Sequence, residues 1–138
     1  MITIKKQEIV KLENVLHLYQ AVGWTNYTNQ PEMLEQALSH SLAIYVALDG
    51  DAVVGLIRLV GDGFSSVFVQ DLIVLPTYQR QGIGSNLMKE ALADYNDAYQ
   101  VQLATEQTEK NLGFYRSLGF ETLSTYDCAG MIWVDREK

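Results

Sequence analysis

The residues best suited to chemistry by type and spacing lie in one run, Asp71-Leu-Ile-Val-Leu-Pro-Thr-Tyr-Gln-Arg-Gln-Gly-Ile-Gly-Ser85. Gly82 and Gly84 leave the backbone uncrowded where a helix is about to start, and the first N–H groups of a helix have no partner inside it. Converging donors and the partial positive charge of the helix dipole make such a terminus a seat for an anion, phosphate above all. Two kinds of phosphate loop do not fit. A Walker loop needs Lys-Ser or Lys-Thr after its second glycine, and Ser85-Asn86 stands here. A dinucleotide fingerprint needs a small residue where Leu87 falls.

The apolar pattern supplies the elements that would position this loop. Val67 to Leu75 is rich in β-branched and aromatic residues, and Pro76 ends it by removing a backbone donor, so a buried strand is expected. Ile83, Leu87, Met88, Ala91, Leu92 and Tyr95 recur at helical spacing and predict a helix from Gly84 to about Tyr95. Upstream, Ile2 and Ile4 alternate as a short strand, and Ile9, Leu12, Leu16 and Tyr19 mark a first helix ended near Gly23. A polar loop to Gln30 carries Trp24 and Tyr27, and Pro31 opens a second helix with Leu34, Ala37 and Leu38 inward. Leu42 to Leu48 and Ala52 to Val60 form a hairpin about Asp49-Gly50. Val101 to Ala104 reads as a short strand, and Leu112, Tyr115 and Leu118 as a helical stripe closed by Gly119. Phe120 to Leu123 and Met131 to Val134 are expected to pair as the last strands. The order is that of an α+β domain, mostly antiparallel, with helices on both faces of the sheet.

Bulk properties narrow the function. A length of 138 residues suits one domain spanning 1–138. The net charge of −7 argues against nucleic acid and is compatible with a cationic substrate. Cys128 is the lone cysteine, so no internal disulfide forms, in keeping with a reducing compartment. Residues Met1-Ile-Thr-Ile-Lys-Lys-Gln-Glu lack the apolar core of a secretory leader, and no apolar run approaches membrane-spanning length. A complete, cytoplasmic chain without a membrane partner is the expectation. His17 and His40 read as surface or core histidines, and no His, Cys and carboxylate cluster has metal spacing, so no metal is expected.

The run Gln79-Arg80-Gln81-Gly82-Ile83-Gly84 resembles the Gln/Arg-x-x-Gly-x-Gly/Ala signature of the GNAT superfamily of N-acetyltransferases. The order of elements resembles that family's from end to end, so the likeness covers nearly the whole chain. It implies a GNAT-like fold and an enzyme that moves an acetyl group from acetyl-CoA to a primary amine of a small molecule. Gln79 to Ser85 would then hold the pyrophosphate of acetyl-CoA, and the backbone around Leu72, Ile73 and Val74 would pair with the pantetheine amides. An N–H there would polarise the thioester carbonyl as an oxyanion hole does. Arg80 would approach a phosphate or stand exposed.

A second likeness lies in Asn111-Leu-Gly-Phe-Tyr-Arg-Ser-Leu-Gly-Phe120. Its Tyr-x-x-x-Gly-Phe spacing resembles the family helix whose tyrosine protonates the departing thiolate, which makes Tyr115 the expected general acid. The family often has Asn seven residues before that tyrosine. Thr108 stands there, with Asn111 a turn closer; either would contact the pantetheine, and a helix N-cap is an equally good reading of Thr108. Some relatives carry a glutamate base at what is Gln70, and glutamine cannot serve. Asp71, its neighbour, is expected to point to the opposite face by the strand's period of two. Glu106 is the remaining carboxylate placed to act through water, though a solvated role is the commoner one. Trp24 and Tyr27 fall where relatives wall the amine pocket; core packing competes for Trp24. Many relatives dimerise, so a homodimer is an open expectation. Two rival functions stand beside the enzyme of small amines: acetylation of proteins or peptides, and a non-catalytic acyl-CoA-binding module.

Overall fold

The structure is a computed structural model, and it describes residues 1–135. Five strands form one sheet in the order β1-β2-β3-β4-β5: β1 Ile2–Gln7, β2 Ala43–Asp49, β3 Ala52–Gly61, β4 Ser66–Val74 and β5 Gln100–Leu103. The first four are antiparallel neighbours, and β5 lies parallel to β4. The helices are α1 Leu12–Ala21, α2 Thr25–Thr28, α3 Pro31–Ser39, α4 Ile83–Tyr95 and α5 Glu109–Ser117. Met1–Leu103 is one compact unit, and a second begins at Ala104. The α+β class read from the sequence is the class observed.

Within the first unit the sheet carries helices on both faces, because its central strands alternate apolar residues to both sides. On one face Val15, Leu18 and Tyr19 of α1 and Leu34 and Leu38 of α3 bury against Ile44, Val46, Leu56 and Ile73. On the other lies α4, with Ile83, Leu87, Met88 and Ala91 buried. The hydroxyl of Tyr45 donates to Asp94 of α4 at 2.5 Å, which fixes that helix to β2. No helix among the described residues is long and apolar enough to cross a membrane.

Three expectations need correction. Ile9 precedes α1 and is 79% exposed; the inward stripe is Val15, Leu18 and Tyr19, rotated from the one its spacing suggested. The loop after Gly23 contains the short helix α2. At the other end, neither Phe120 to Leu123 nor Met131 to Val134 is a strand among the described residues. A 3-10 turn, Leu123–Tyr126, takes their place. The donors of that stretch are spent locally: Thr125 N reaches Thr122 O, Asp127 N reaches Ser124 O and Cys128 N reaches Leu123 O. Thr122 also shares its hydroxyl with Ser124 and Thr125. Such short-range bonds compete with a sheet ladder, and Asp127 in the left-handed region (φ 56°) turns the chain away from extended geometry.

Candidate active site

The cradle forms as its glycines require. Gly82 is the N-cap of α4 in the left-handed region, φ 80°, where a side chain on any other residue is strained. The first bond inside the helix runs from Asn86 N to Gly82 O, 3.0 Å. The N–H groups of Ile83, Gly84 and Ser85 therefore precede the helical ladder, with no side-chain cap and no acidic residue in the first turn. A Cβ at Gly82 would meet no atom within 4 Å, so what calls for glycine there is the backbone angle and not space. Arg80 adopts φ 66°, and Gln79 and Gln81 are exposed. The Gln79 side chain donates back to Val74 O at 3.1 Å, tying the loop to the strand before it.

That strand opens a slot above the cradle. Pairing of β4 with β5 runs from Ser66↔Gln100 only to Val69↔Leu103. On the other side, Arg58 of β3 faces Asp71 while the next residue, Leu59, faces Val69. Gln70 is thus an extra residue, a β-bulge, and a bulge bends and twists its strand. Beyond it, Leu75 N donates to Val54 O, so by the strand's period Ile73 and Asp71 also turn their backbone groups to β3. Leu72 and Val74 present theirs to the edge that β5 has left. Of the three residues expected to pair with a pantetheine, two face the slot and Ile73 faces inward.

Asp71 does not point away from Gln70. The bulge suspends the period of two, and both side chains reach the Tyr27 hydroxyl, from Gln70 Nε2 at 3.4 Å and to Asp71 Oδ1 at 3.0 Å. Asp71 is 2% exposed and Arg58 4%. Arg58 Nε donates to Asp71 Oδ2 at 2.7 Å, and the Tyr19 hydroxyl donates to the same oxygen at 2.8 Å. Arg58 also donates to Ser41 Oγ at 3.2 Å and to the Tyr27 oxygen at 3.3 Å. Burial raises the pKa of both tyrosines, and the Asp71 charge raises it further. Buried, ion-paired to Arg58 and accepting from two tyrosine hydroxyls, Asp71 is a structural carboxylate and not a base. Sequence reasoning missed this network, although a signal existed: opposite charges sit inside two neighbouring apolar strands, and buried charges are paired.

Trp24 and Tyr27 both pack against the core of α1 and α3, and each lies beside the Tyr19 ring, at 6.1 Å and 5.2 Å between centroids. Both are partly buried. A separate open groove of about 740 Å³ is lined by His17, Val53, Leu75 and Tyr78 among others and includes no cradle residue. His17 Nε2 is 2.7 Å from Val53 O there. Among the described residues no group of three or more His, Cys, Asp or Glu is placed to hold a metal.

In the second unit, Thr108 is the N-cap of α5, its Oγ1 accepting from Asn111 N at 3.1 Å. Gly119 closes the helix at φ 99°, where Gly119 N donates to Arg116 O and Phe120 N to Tyr115 O. Tyr115 is wedged edge-on between Phe114 and Phe120, at 5.0 and 6.1 Å, and burial raises its pKa. Its hydroxyl bonds to none of the described residues, unlike those of Tyr19, Tyr27, Tyr45 and Tyr78. Glu106 is exposed, and Thr108 N donates to its carbonyl.

A bulged strand with a freed edge leading into an uncapped, glycine-started helix suits an extended ligand with an anionic end. The chain belongs to the GNAT acetyltransferase family: the model of the Acetyltransferase (GNAT) domain matches residues 40–122. A solved GNAT family acetyltransferase from Streptococcus pneumoniae TIGR4 is 84% identical, covers 99% of each chain and superposes with a TM-score of 0.92. Serotonin N-acetyltransferase 2, chloroplastic, of Oryza sativa subsp. japonica is 32% identical over 66% of this chain and 48% of its own length. GCN5-related N-acetyltransferase 1, chloroplastic, of Arabidopsis thaliana is 28% identical over 95% of this chain and 66% of its own. The chain thus spans about half to two thirds of the length of these two curated relatives.

Proposed function

We propose that the chain transfers the acetyl group of acetyl-CoA to a primary amine of a small molecule, by direct attack with both substrates bound. The observation that carries this reading is the freed edge of β4 running into the uncapped start of α4. The backbone N–H groups of Ile83, Gly84 and Ser85 suit the pyrophosphate, aided by the helix dipole and opposed by no acidic side chain in the first turn. Leu72 offers its N–H and C=O, and Val74 its N–H, to the pantetheine amides. A backbone donor on that edge is a fixed dipole for the charge that grows on the thioester oxygen. As the new C–N bond forms and the C–S bond breaks, the Tyr115 hydroxyl supplies a proton to the leaving sulfur. Its lack of a partner among the described residues supports that role. Glu106, through water, takes the proton that the amine must lose. The net charge of −7 favours approach of a cationic acceptor.

Thiol release from acetyl-CoA with arylalkylamines, polyamines and peptides tests the reading, and turnover on a small amine is expected. Coenzyme binding without turnover on any acceptor would establish a binding module instead, and turnover on peptides alone a protein acetyltransferase. Gly82→Asp adds a side chain at φ 80° and a negative charge at the helix start, and should weaken acetyl-CoA binding at least tenfold, read by calorimetry.

A further inference from the structure

We propose that the side-chain carbonyl of Gln70 accepts a hydrogen bond from the N–H of the amine substrate, and that Asp71 and Tyr27 are positioning residues that present it. The inference rests on the acetyl-transfer reading above. Its logic is one of hydrogen-bond polarity. The Asp71 carboxylate, paired with Arg58, can only accept. Tyr27 has one proton, and it goes to Asp71 Oδ1 at 3.0 Å. The Tyr27 oxygen can then only accept, and it does so from Arg58 Nη2 at 3.3 Å and from Gln70 Nε2 at 3.4 Å. Gln70 must offer this hydroxyl its NH₂ group, which leaves Oε1 as the outward end of the amide. A charge buried beneath the sheet surface thus decides which way an exposed amide turns.

Position gives that oxygen its use. Gln70 is the bulged residue at which β4 parts from β5. A donor seated on the start of α4 and laid back along the edge of β4 brings its acyl end toward this residue. The Gln70 side chain stands on the α1–α2 face, beside Tyr27, and is exposed to an incoming acceptor. An amide oxygen there orients the nitrogen lone pair by holding one of its N–H bonds. It does not titrate, so this position adds no ionisation to the rate profile, whereas a carboxylate would.

Steady-state thiol release with 2-phenylethylamine, serotonin and 1,4-diaminobutane tests the proposal on the full chain. Gln70→Leu and Tyr27→Phe should each raise the KM of the amine roughly three- to tenfold, the worth of one hydrogen bond. The KM of acetyl-CoA should stay within twofold, a split that a purely structural role does not produce. Gln70→Glu should add a new acid limb to the pH profile of kcat/KM. Unchanged amine KM in both Gln70→Leu and Tyr27→Phe, with the wild type active, would overturn this inference alone. A wild type that binds acetyl-CoA yet turns over none of the three amines would overturn the small-amine reading and this inference with it.

Discussion

Tyrosine hydroxyls have two fates in this molecule. In the first unit, the hydroxyls of Tyr19 and Tyr27 both donate to Asp71. In α5 of the second unit, Tyr115 is held by Phe114 and Phe120 through its ring alone, and its hydroxyl bonds to none of the described residues. The side chain is the same and burial raises the pKa of all three. What differs is that the protons of Tyr19 and Tyr27 are committed to Asp71 and that of Tyr115 to none of the described residues.

Substitutions should separate the two fates, beginning with Tyr115→Phe. Turnover is expected to fall about 10²–10⁴-fold, the usual share of general acid catalysis, with the melting temperature nearly unchanged. A stable decline in melting temperature with intact turnover would move Tyr115 into the structural class. Asp71→Ala strands the buried Arg58 charge and two hydroxyls, and should cost about 3–5 kcal/mol in denaturant unfolding. Smaller is Tyr19→Phe, at about 1.5–3 kcal/mol, because Arg58 still satisfies Oδ2 of Asp71. The same tyrosine sets a pH dependence. Its folded pKa is raised, by burial first and by Asp71 next, above the value of 10.0 that it recovers on unfolding. Its contribution is complete below about pH 10 and is lost as the pH climbs further, because the unfolded chain releases the proton first. Unfolding followed from pH 8 upward should show that decline, shallower in Tyr19→Phe. Least is Thr108→Ala, at about 1 kcal/mol of stability for the lost N-cap. Unaltered acetyl-CoA affinity in that variant would assign Thr108 to the helix and not to the coenzyme.

The cradle and the strands around it were legible in the sequence because their causes are local. Gly82 marks a left-handed cap, Pro76 a strand end, and the period of Ile83, Leu87, Met88 and Ala91 a buried helical face. The Asp71 network was not, since its bonds join residues 13, 44 and 52 positions apart. Parity misled as well: Gln70 and Asp71 were assigned opposite faces by a rule that holds only in an unbulged strand. At the end of the chain, Met131 to Val134 is apolar and β-branched, yet composition says nothing about whether a free strand edge is there to receive it. The assignment of Tyr115 came from motif spacing, and what the structure adds is the state of its hydroxyl.

The single inserted residue in β4 acts as a phase shift. Val69 shares a face with Leu59, under α4, while Asp71, only two positions on, shares the opposite face with Arg58. In the sequence the buried and open positions alternate without a break, so the inversion leaves no trace there. One strand thereby packs on both faces of the sheet, with Val69 on one and Asp71 on the other, though only Gln70 separates them along the chain. Deleting Gln70 would bring the strand back into phase, turn Asp71 out of its pocket and let β4 run straight beside β5. The slot exists because the chain is one residue longer there than a flat sheet would need.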